Sequence, residues 1–313
     1  MDDRDKTTIR FGIVNVAGTY AYKVSKEQQD ITAEYIQCDG AGRFSKTLNG
    51  LRSLRPGGQS RTPGPQGALP AGSENCRFYC QDPGRRESLL NRPRRTILTL
   101  TCGSTAWLAF PNVSPFEPQG HFLLIPSASF PELPHFPQLF TMTLFDDFVR
   151  ICEKSRGLVI AFCSRHAGAS ADHFHLQAIC RNAALPMENA RTETNSVLPD
   201  GVEITCDWPI HALVSESGEA LKSAVMNLQS AALPFNLLFA GGRFFLAPRD
   251  ANNEVARELP SMLGWLEVAG KFILTDEASY RTADESTFYQ ALARTGVGKS
   301  EVIRLLSSKS KNP

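Results

Sequence analysis

No stretch of this 313-residue chain stays apolar for the ~20 residues that cross a bilayer, so no transmembrane helix is expected. Neither sign of charge dominates: 33 lysines and arginines stand against 32 acids, a net charge of +1. That balance offers no global attraction to nucleic acid or an anionic membrane surface, and leaves room only for a local basic pocket around a small anion. The density of a disulfide scaffold is missing too. Eight cysteines in a chain this long are few, and Cys102, Cys163 and Cys180 sit in apolar runs where a reduced thiol acts as a small core residue. The opening Met-Asp-Asp-Arg-Asp-Lys is polar and unlike a secretory leader, so a reducing cytoplasm is the expected compartment. A phosphate loop is lacking as well. Thr295-Gly-Val-Gly-Lys-Ser300 does not have the spacing G-x-x-x-x-G-K-[ST], and no strand precedes it. The arginines at 85, 86, 92, 94 and 95 have no interleaved aromatics and suit a solvated loop better than a nucleic-acid surface.

What is present is ordinary for a globular protein: 42% apolar and 21% charged residues. Residues 8–38 alternate in short runs and suggest a few strands, and residues 55–75 are rich in Gly, Pro, Gln and Ser. This second stretch suits a linker, or a lid whose Arg52, Arg55 and Arg61 reach phosphates. From residue 94 the pattern sharpens. Strands are expected at 95–101, 106–110 and 121–126, a helix at 139–154 from its apolar spacing, and strands at 157–163 and 173–180. Farther on come a strand at 210–214, a helix at 218–230, and strands at 235–240 and 243–248 around Gly241-Gly242. A strand at 266–275 and helices at 285–294 and 300–306 close the chain. The expected division is an N-terminal segment, residues 1–75, then two halves, 76–185 and 186–313, packed as one unit.

The chemistry concentrates in His166-Ala-Gly168-Ala-Ser170-Ala-Asp-His173-Phe-His175-Leu-Gln177. On a strand, His173, His175 and Gln177 share one face, while Phe174, Leu176 and Ala178 turn to the core. Polar groups gathered on one face need partners or a ligand. Paired imidazoles serve either zinc binding or nucleophilic attack on phosphorus. Glutamine is a poor zinc ligand but a good donor to a phosphate oxygen, and favours the second. The small residues before the strand let backbone N–H groups approach an anion. Arg165 and His166 flank that turn and are candidates for the same anion. Arg243 and Arg249, in or beside a later strand, suit exposed positions better than a phosphate contact.

Gly168-Ala-Ser170 followed by His173-x-His175-x-Gln177 resembles the signature of the galactose-1-phosphate uridylyltransferase and diadenosine tetraphosphate phosphorylase branch of the histidine-triad superfamily. Asn112-Val-Ser-Pro-Phe-Glu-Pro-Gln-Gly-His121-Phe-Leu-Leu-Ile-Pro126 is similar to the strand entry of the GDP-L-galactose phosphorylases. So are Phe136-Pro-Gln-Leu, Trp208-Pro-Ile, Leu233-Pro-Phe-Asn236, Phe244-Phe-Leu-Ala-Pro248 and Trp265-Leu-Glu-Val-Ala-Gly270. The resemblance covers residues 94–310. It implies an α+β fold of tandem histidine-triad-like halves, antiparallel sheets with packed helices. It also implies a nucleotidyltransferase that cleaves a nucleoside-diphosphate sugar, GDP-hexose-like, with inorganic phosphate. In that scheme His175 is the nucleophile, in a catalytic set with Gln177 and His173. Gln177 holds a non-bridging phosphate oxygen. Ser170 and the backbone at Gly168 bind phosphate, Asn112 faces the ribose or the active strand, and His121 supports the site. A dinucleotide phosphorylase and a non-catalytic nucleotide binder are the alternatives. No redox cofactor is needed and no metal is implied. The Cys76-Arg-Phe-Tyr-Cys80 pair is one residue wider than the Cys-x-x-Cys of zinc-binding relatives, and the expected histidine after the His121 strand is replaced by Pro126-Ser-Ala-Ser.

Overall fold

The computed structural model describes residues 36–49, 98–102, 105–112, 121–127, 135–155, 157–169, 171–181, 183–253, 258–259 and 262–307. Most of the expected N-terminal strands, the 55–75 segment, the basic residues at 85–95, Cys76, Cys80 and Ser170 lie outside the described residues. In chain order the strands are β1 Ile36–Ala41, β2 Phe44–Asn49, β3 Leu98–Cys102, β4 Thr105–Pro111, β5 Phe122–Ser127, β6 Leu158–Cys163, β7 Leu176–Cys180, β8 Thr192–Thr194, β9 Glu203–Thr205, β10 Leu213–Ser215, β11 Phe235–Ala240, β12 Arg243–Pro248 and β13 Lys271–Leu274. The α-helices are α1 Met142–Lys154, α2 Gly218–Ser230, α3 Trp265–Val268, α4 Glu277–Thr282, α5 Glu285–Thr295 and α6 Lys299–Ser307. No helix among the described residues is long and apolar enough to cross a membrane. The chain divides into two compact units, the first holding described residues 98–162 and 169–181, the second 36–49, 163–168 and 183–307.

In the first unit the strands lie in the order β3-β4-β5-β7-β6, every pair antiparallel. Helix α1 begins where the Thr141 hydroxyl accepts the N–H of Leu144 at 3.1 Å, satisfying one of the donors that a helix start leaves open. It buries Leu144, Phe145, Phe148, Ile151 and Cys152, the stripe that a 3.6-residue period puts on one side. Asp147 is buried with that stripe, and its carboxylate accepts the indole N–H of Trp107 at 3.3 Å. The core is aromatic. Phe174 is fully buried, stacked on Phe162 at 5.2 Å and edge-on to Phe140 at 5.1 Å and Trp107 at 5.9 Å.

The second unit has the same ingredients: an antiparallel sheet β11-β12-β10-β9-β8 with α2 packed on β10 and β12. Gly241 and Gly242 both take positive φ, which the two-residue hairpin between β11 and β12 requires. Its second sheet, β1-β2-β13, is a departure from the expected all-antiparallel arrangement, because β13 runs parallel to β2. Phe44 on β2 closes this layer against Trp208, Phe272 and Phe288, with ring centroids 5.2–6.0 Å away. The fold is mixed α+β with packed helices, as the resemblance implies, and its described strand pairs are antiparallel except β2–β13.

Two expected strands are shorter. The run 266–275 splits into α3 and β13, because the Glu267 carboxylate caps the N–H of Gly264 at 2.9 Å and Gly270 reverses the chain at φ 93°. The run 173–180 becomes a strand only at Leu176, for a reason that belongs to the site.

Phe174 sits between the two motif histidines, so its packing anchors the site. Phe174→Ala is expected to cost about 3–5 kcal/mol. A thermal melt should show a clearly lowered midpoint, whereas an unchanged one would mean that the aromatic cluster does not hold this loop.

Candidate active site

The residues before β7 are not a strand. Asp172 and His173 lie in a bend, and Phe174 and His175 lie outside any ladder. Backbone groups removed from a ladder must find other partners. Here they find them in the segment 136–138. The Phe174 N–H donates to the carbonyl of Phe136 at 2.7 Å. The His175 N–H donates to the side-chain oxygen of Gln138 at 3.0 Å, and Gln138 Nε2 donates back to the His175 carbonyl at 3.3 Å. The Gln138 N–H donates to the Asp172 carboxylate at 3.1 Å. Gln138 is fully buried.

Both motif histidines are buried. His175 Nδ1 lies 2.8 Å from the carbonyl of His173, and His173 Nδ1 lies 3.1 Å from that of Phe174. A carbonyl only accepts, so each Nδ1 carries the proton and each Nε2 carries the lone pair. Burial opposes the charged form of both rings. It pushes His173 down to about 4 and lowers His175 in the same direction. Both imidazoles are therefore neutral at pH 7, the state a nitrogen nucleophile needs. The His135 ring stands edge-on to His173 with centroids 5.5 Å apart.

Gln177 lies within β7 between Leu123 of β5 and Ala161 of β6. Directly paired residues share a face, so Leu123 and Gln177 point the same way. His121 is 2% exposed and its Nε2 accepts from Asn112 Nδ2 at 3.2 Å, while the Asn112 N–H donates to the His121 carbonyl at 3.0 Å. The structure thus brings His121 and Asn112 together with each other.

The turn that leads into the motif belongs to the second unit. Ser164 exchanges two bonds with Phe235, its N–H donating to that carbonyl at 3.0 Å and its hydroxyl accepting that N–H at 2.7 Å. Asn236 donates to the carbonyl of Ala167 at 2.7 Å and to the Cys163 thiol at 3.1 Å. Arg249 is fully buried and donates to Asn236 Oδ1 at 2.7 Å and to the carbonyls of Leu263 and Thr295, each at 3.0 Å. The expectation that Arg249 is exposed is corrected: it is an internal brace. Arg243 is half-buried, donating to the Glu188 carbonyl and lying over the Phe245 ring at 5.2 Å. Arg165 and His166 are half-buried, and His166 holds φ 60°. Gly168 holds φ 90°, and a Cβ there would stand 2.6 Å from the Gly264 Cα. Close packing is thus one requirement for glycine at this position.

Residues 186–304 match the family model described as "GDPGP1-like, C-terminal domain". Two curated relatives from Arabidopsis thaliana are GDP-L-galactose phosphorylase 1, 27% identical over 60% of this chain, and GDP-L-galactose phosphorylase 2, 28% identical over 60% of it. The chain is similar to these phosphorylases over part of its length. The match spans 46% and 47% of those relatives, about half their length. Among solved structures, yeast Ap4A phosphorylase Apa2 in complex with AMP superposes with a TM-score of 0.59 at 13% identity, over 91% of this chain and 96% of that one. The same yeast protein without that ligand gives 0.55 at 12% identity, over 92% and 97%. This likeness shows a fold shared with that yeast protein.

The sequence pattern alone gives Gln138, Asp172, His135 and Asn236 no role. A polar residue between Phe136 and Phe140, directly after Pro137, was the available signal for Gln138, since such a side chain is buried only when it is bonded.

Two measurements test this geometry. Below pH 6.5 the unfolded chain binds a proton at His173 that the folded chain refuses until about 4, so stability is full above 6.5 and falls as pH drops between these values. The melting midpoint should decline over that window, and less steeply in His173→Asn; an unchanged slope would show that His173 titrates alike in both states. Gly168→Ala combines a left-handed backbone with a clash and should destabilise by roughly 2 kcal/mol or more, read as a lowered midpoint; a native-like melt would mean the turn relaxes freely.

Proposed function

We propose that this protein is a phosphorylase of nucleoside-diphosphate hexoses, GDP-hexose-like, working through a nucleotidyl-histidine at His175. The observation that carries the reading is the His175 imidazole itself. It is held with its proton on Nδ1 and its lone pair on Nε2, in surroundings that keep it neutral.

In the first step His175 Nε2 attacks the α-phosphorus, forming a P–N bond as the bond to the hexose 1-phosphate breaks. The ring gains positive charge, and the His173 carbonyl on Nδ1 stabilises that charge at 2.8 Å. Gln177, together with Ser170 and the amides around Gly168, donates to the equatorial oxygens as charge spreads over them. In the second step inorganic phosphate attacks the same phosphorus and the P–N bond breaks, releasing nucleoside diphosphate and neutral His175. Two in-line displacements retain configuration. Arg165 and His166 favour the phosphate acceptor, and Asn112 with His121 supports the nucleoside side. The relatives' printed activity supports the substrate class. The protein would work in the cytoplasm, without a redox cofactor or nucleic-acid partner. A dinucleoside polyphosphate phosphorylase uses the same chemistry, and the fold shared with the Ap4A phosphorylase favours keeping it as the second reading.

Incubation with a GDP-hexose labelled in its α-phosphate should place label on His175, and adding phosphate should release labelled GDP faster than water or a hexose phosphate does. Labelling from diadenosine tetraphosphate alone would move the protein to the second reading, and binding without labelling would make it a non-catalytic nucleotide binder. His175→Ala is expected to lose on the order of a thousandfold or more in turnover with the fold intact. Gln177→Ala should keep binding and lose on the order of a hundredfold in kcat; a change confined to KM would make Gln177 a binding residue.

A further inference from the structure

We infer that Gln138 is a positioning residue for His175, its carboxamide standing in for the missing neighbouring strand and setting the direction of the imidazole. This rests on the role proposed for His175.

Two facts make the carboxamide the controlling group. Ladder pairing on β7 starts at Leu176, so no strand neighbour orients the His175 peptide. Gln138 meets both peptide groups of His175 with one planar amide, accepting from its N–H at 3.0 Å and donating to its carbonyl at 3.3 Å. The pair closes a ring that fixes position and tilt together, as a hydrogen-bonded residue pair does across antiparallel strands. Gln138 is itself held, its own N–H donating to Asp172 at 3.1 Å, and it is fully buried. Next to it in sequence, the carbonyl of Phe136 receives the Phe174 N–H at 2.7 Å. The His175 imidazole is tied to the His173 carbonyl within this same loop, so its attack angle follows the loop's backbone. Displacement of a reacting group by about 1 Å can cost a hundredfold in rate.

The amide's donor and acceptor make a diagnostic substitution possible. Gln138→Leu keeps size and removes both bonds. Gln138→Glu keeps shape, and when protonated offers one acceptor and one donor as the amide does; when ionised it sets a carboxylate against the His175 carbonyl. The other ionisable groups of the cluster are Asp172, His135, His173 and His175.

The test uses the full-length protein with GDP-hexose and phosphate over a range of pH, and nitrogen NMR of the imidazoles as a readout that does not depend on turnover. Gln138→Leu should lower kcat on the order of a hundredfold with KM within about threefold, and weaken the Nδ1–H tautomer preference of His175. Gln138→Glu should regain activity and the native tautomer signal as pH falls and its carboxyl protonates, a limb that the wild type and the Leu variant lack. A Leu variant with kcat within twofold and an unchanged His175 signal would overturn the proposal, as would a Glu variant whose pH profile parallels the wild type. If Gln138→Leu does not fold, the Glu profile decides. A wild type without turnover refutes the phosphorylase reading, while the His175 tautomer in wild type and variants still decides the positioning role.

Discussion

One hydrogen bond organises the candidate site: His175 Nδ1 to the backbone carbonyl of His173, at 2.8 Å. Because a carbonyl cannot donate, it dictates the tautomer and leaves the lone pair on the outer nitrogen. The rest of the first unit serves that bond. Phe174, between the two histidines, is driven into an aromatic core, which pins the loop from one side. Gln138 and Asp172 satisfy the backbone from the other. Burial then keeps the rings neutral, so the same desolvation that costs folding stability at low pH leaves both imidazoles uncharged at neutral pH.

The second unit treats its part of the motif with equal rigidity. The buried Arg249 guanidinium is compensated by oxygens of Asn236, Leu263 and Thr295 rather than left to solvent. Burying a cation is costly unless its donors are met. Asn236, oriented by that cation, donates to the carbonyl of Ala167, next to Gly168. The turn expected to cradle an anion is thus fixed by groups that do not reach solvent, and Gly168 is required by contact with Gly264 as well as by any approach to phosphate. A preformed turn gains nothing by reorganising when charge develops beside it, which is the condition for electrostatic stabilisation.

Much was legible in the sequence because the signals were local. The period of apolar residues placed α1, helix α2 was expected at its observed bounds, and Gly241-Gly242 placed the β11–β12 hairpin. Phe174, Leu176 and Ala178 were assigned to the core from alternation, and each is fully buried. Alternation, however, ran the strand three residues too far, because it cannot see a side chain such as Gln138 replacing a strand partner from 37 residues away.

Residue order therefore determined the chemical inventory and the short-range elements: two imidazoles, a glutamine, a small-residue turn and the apolar stripes that bury their neighbours. Tertiary structure alone decided which nitrogen holds the proton, that both rings are neutral, that Arg249 is an internal brace, and that β13 lies parallel to β2. The physical reason is common to all four. Each depends on what lies beside a group in space, its hydrogen-bond partner or its desolvation, and those neighbours are distant along the chain.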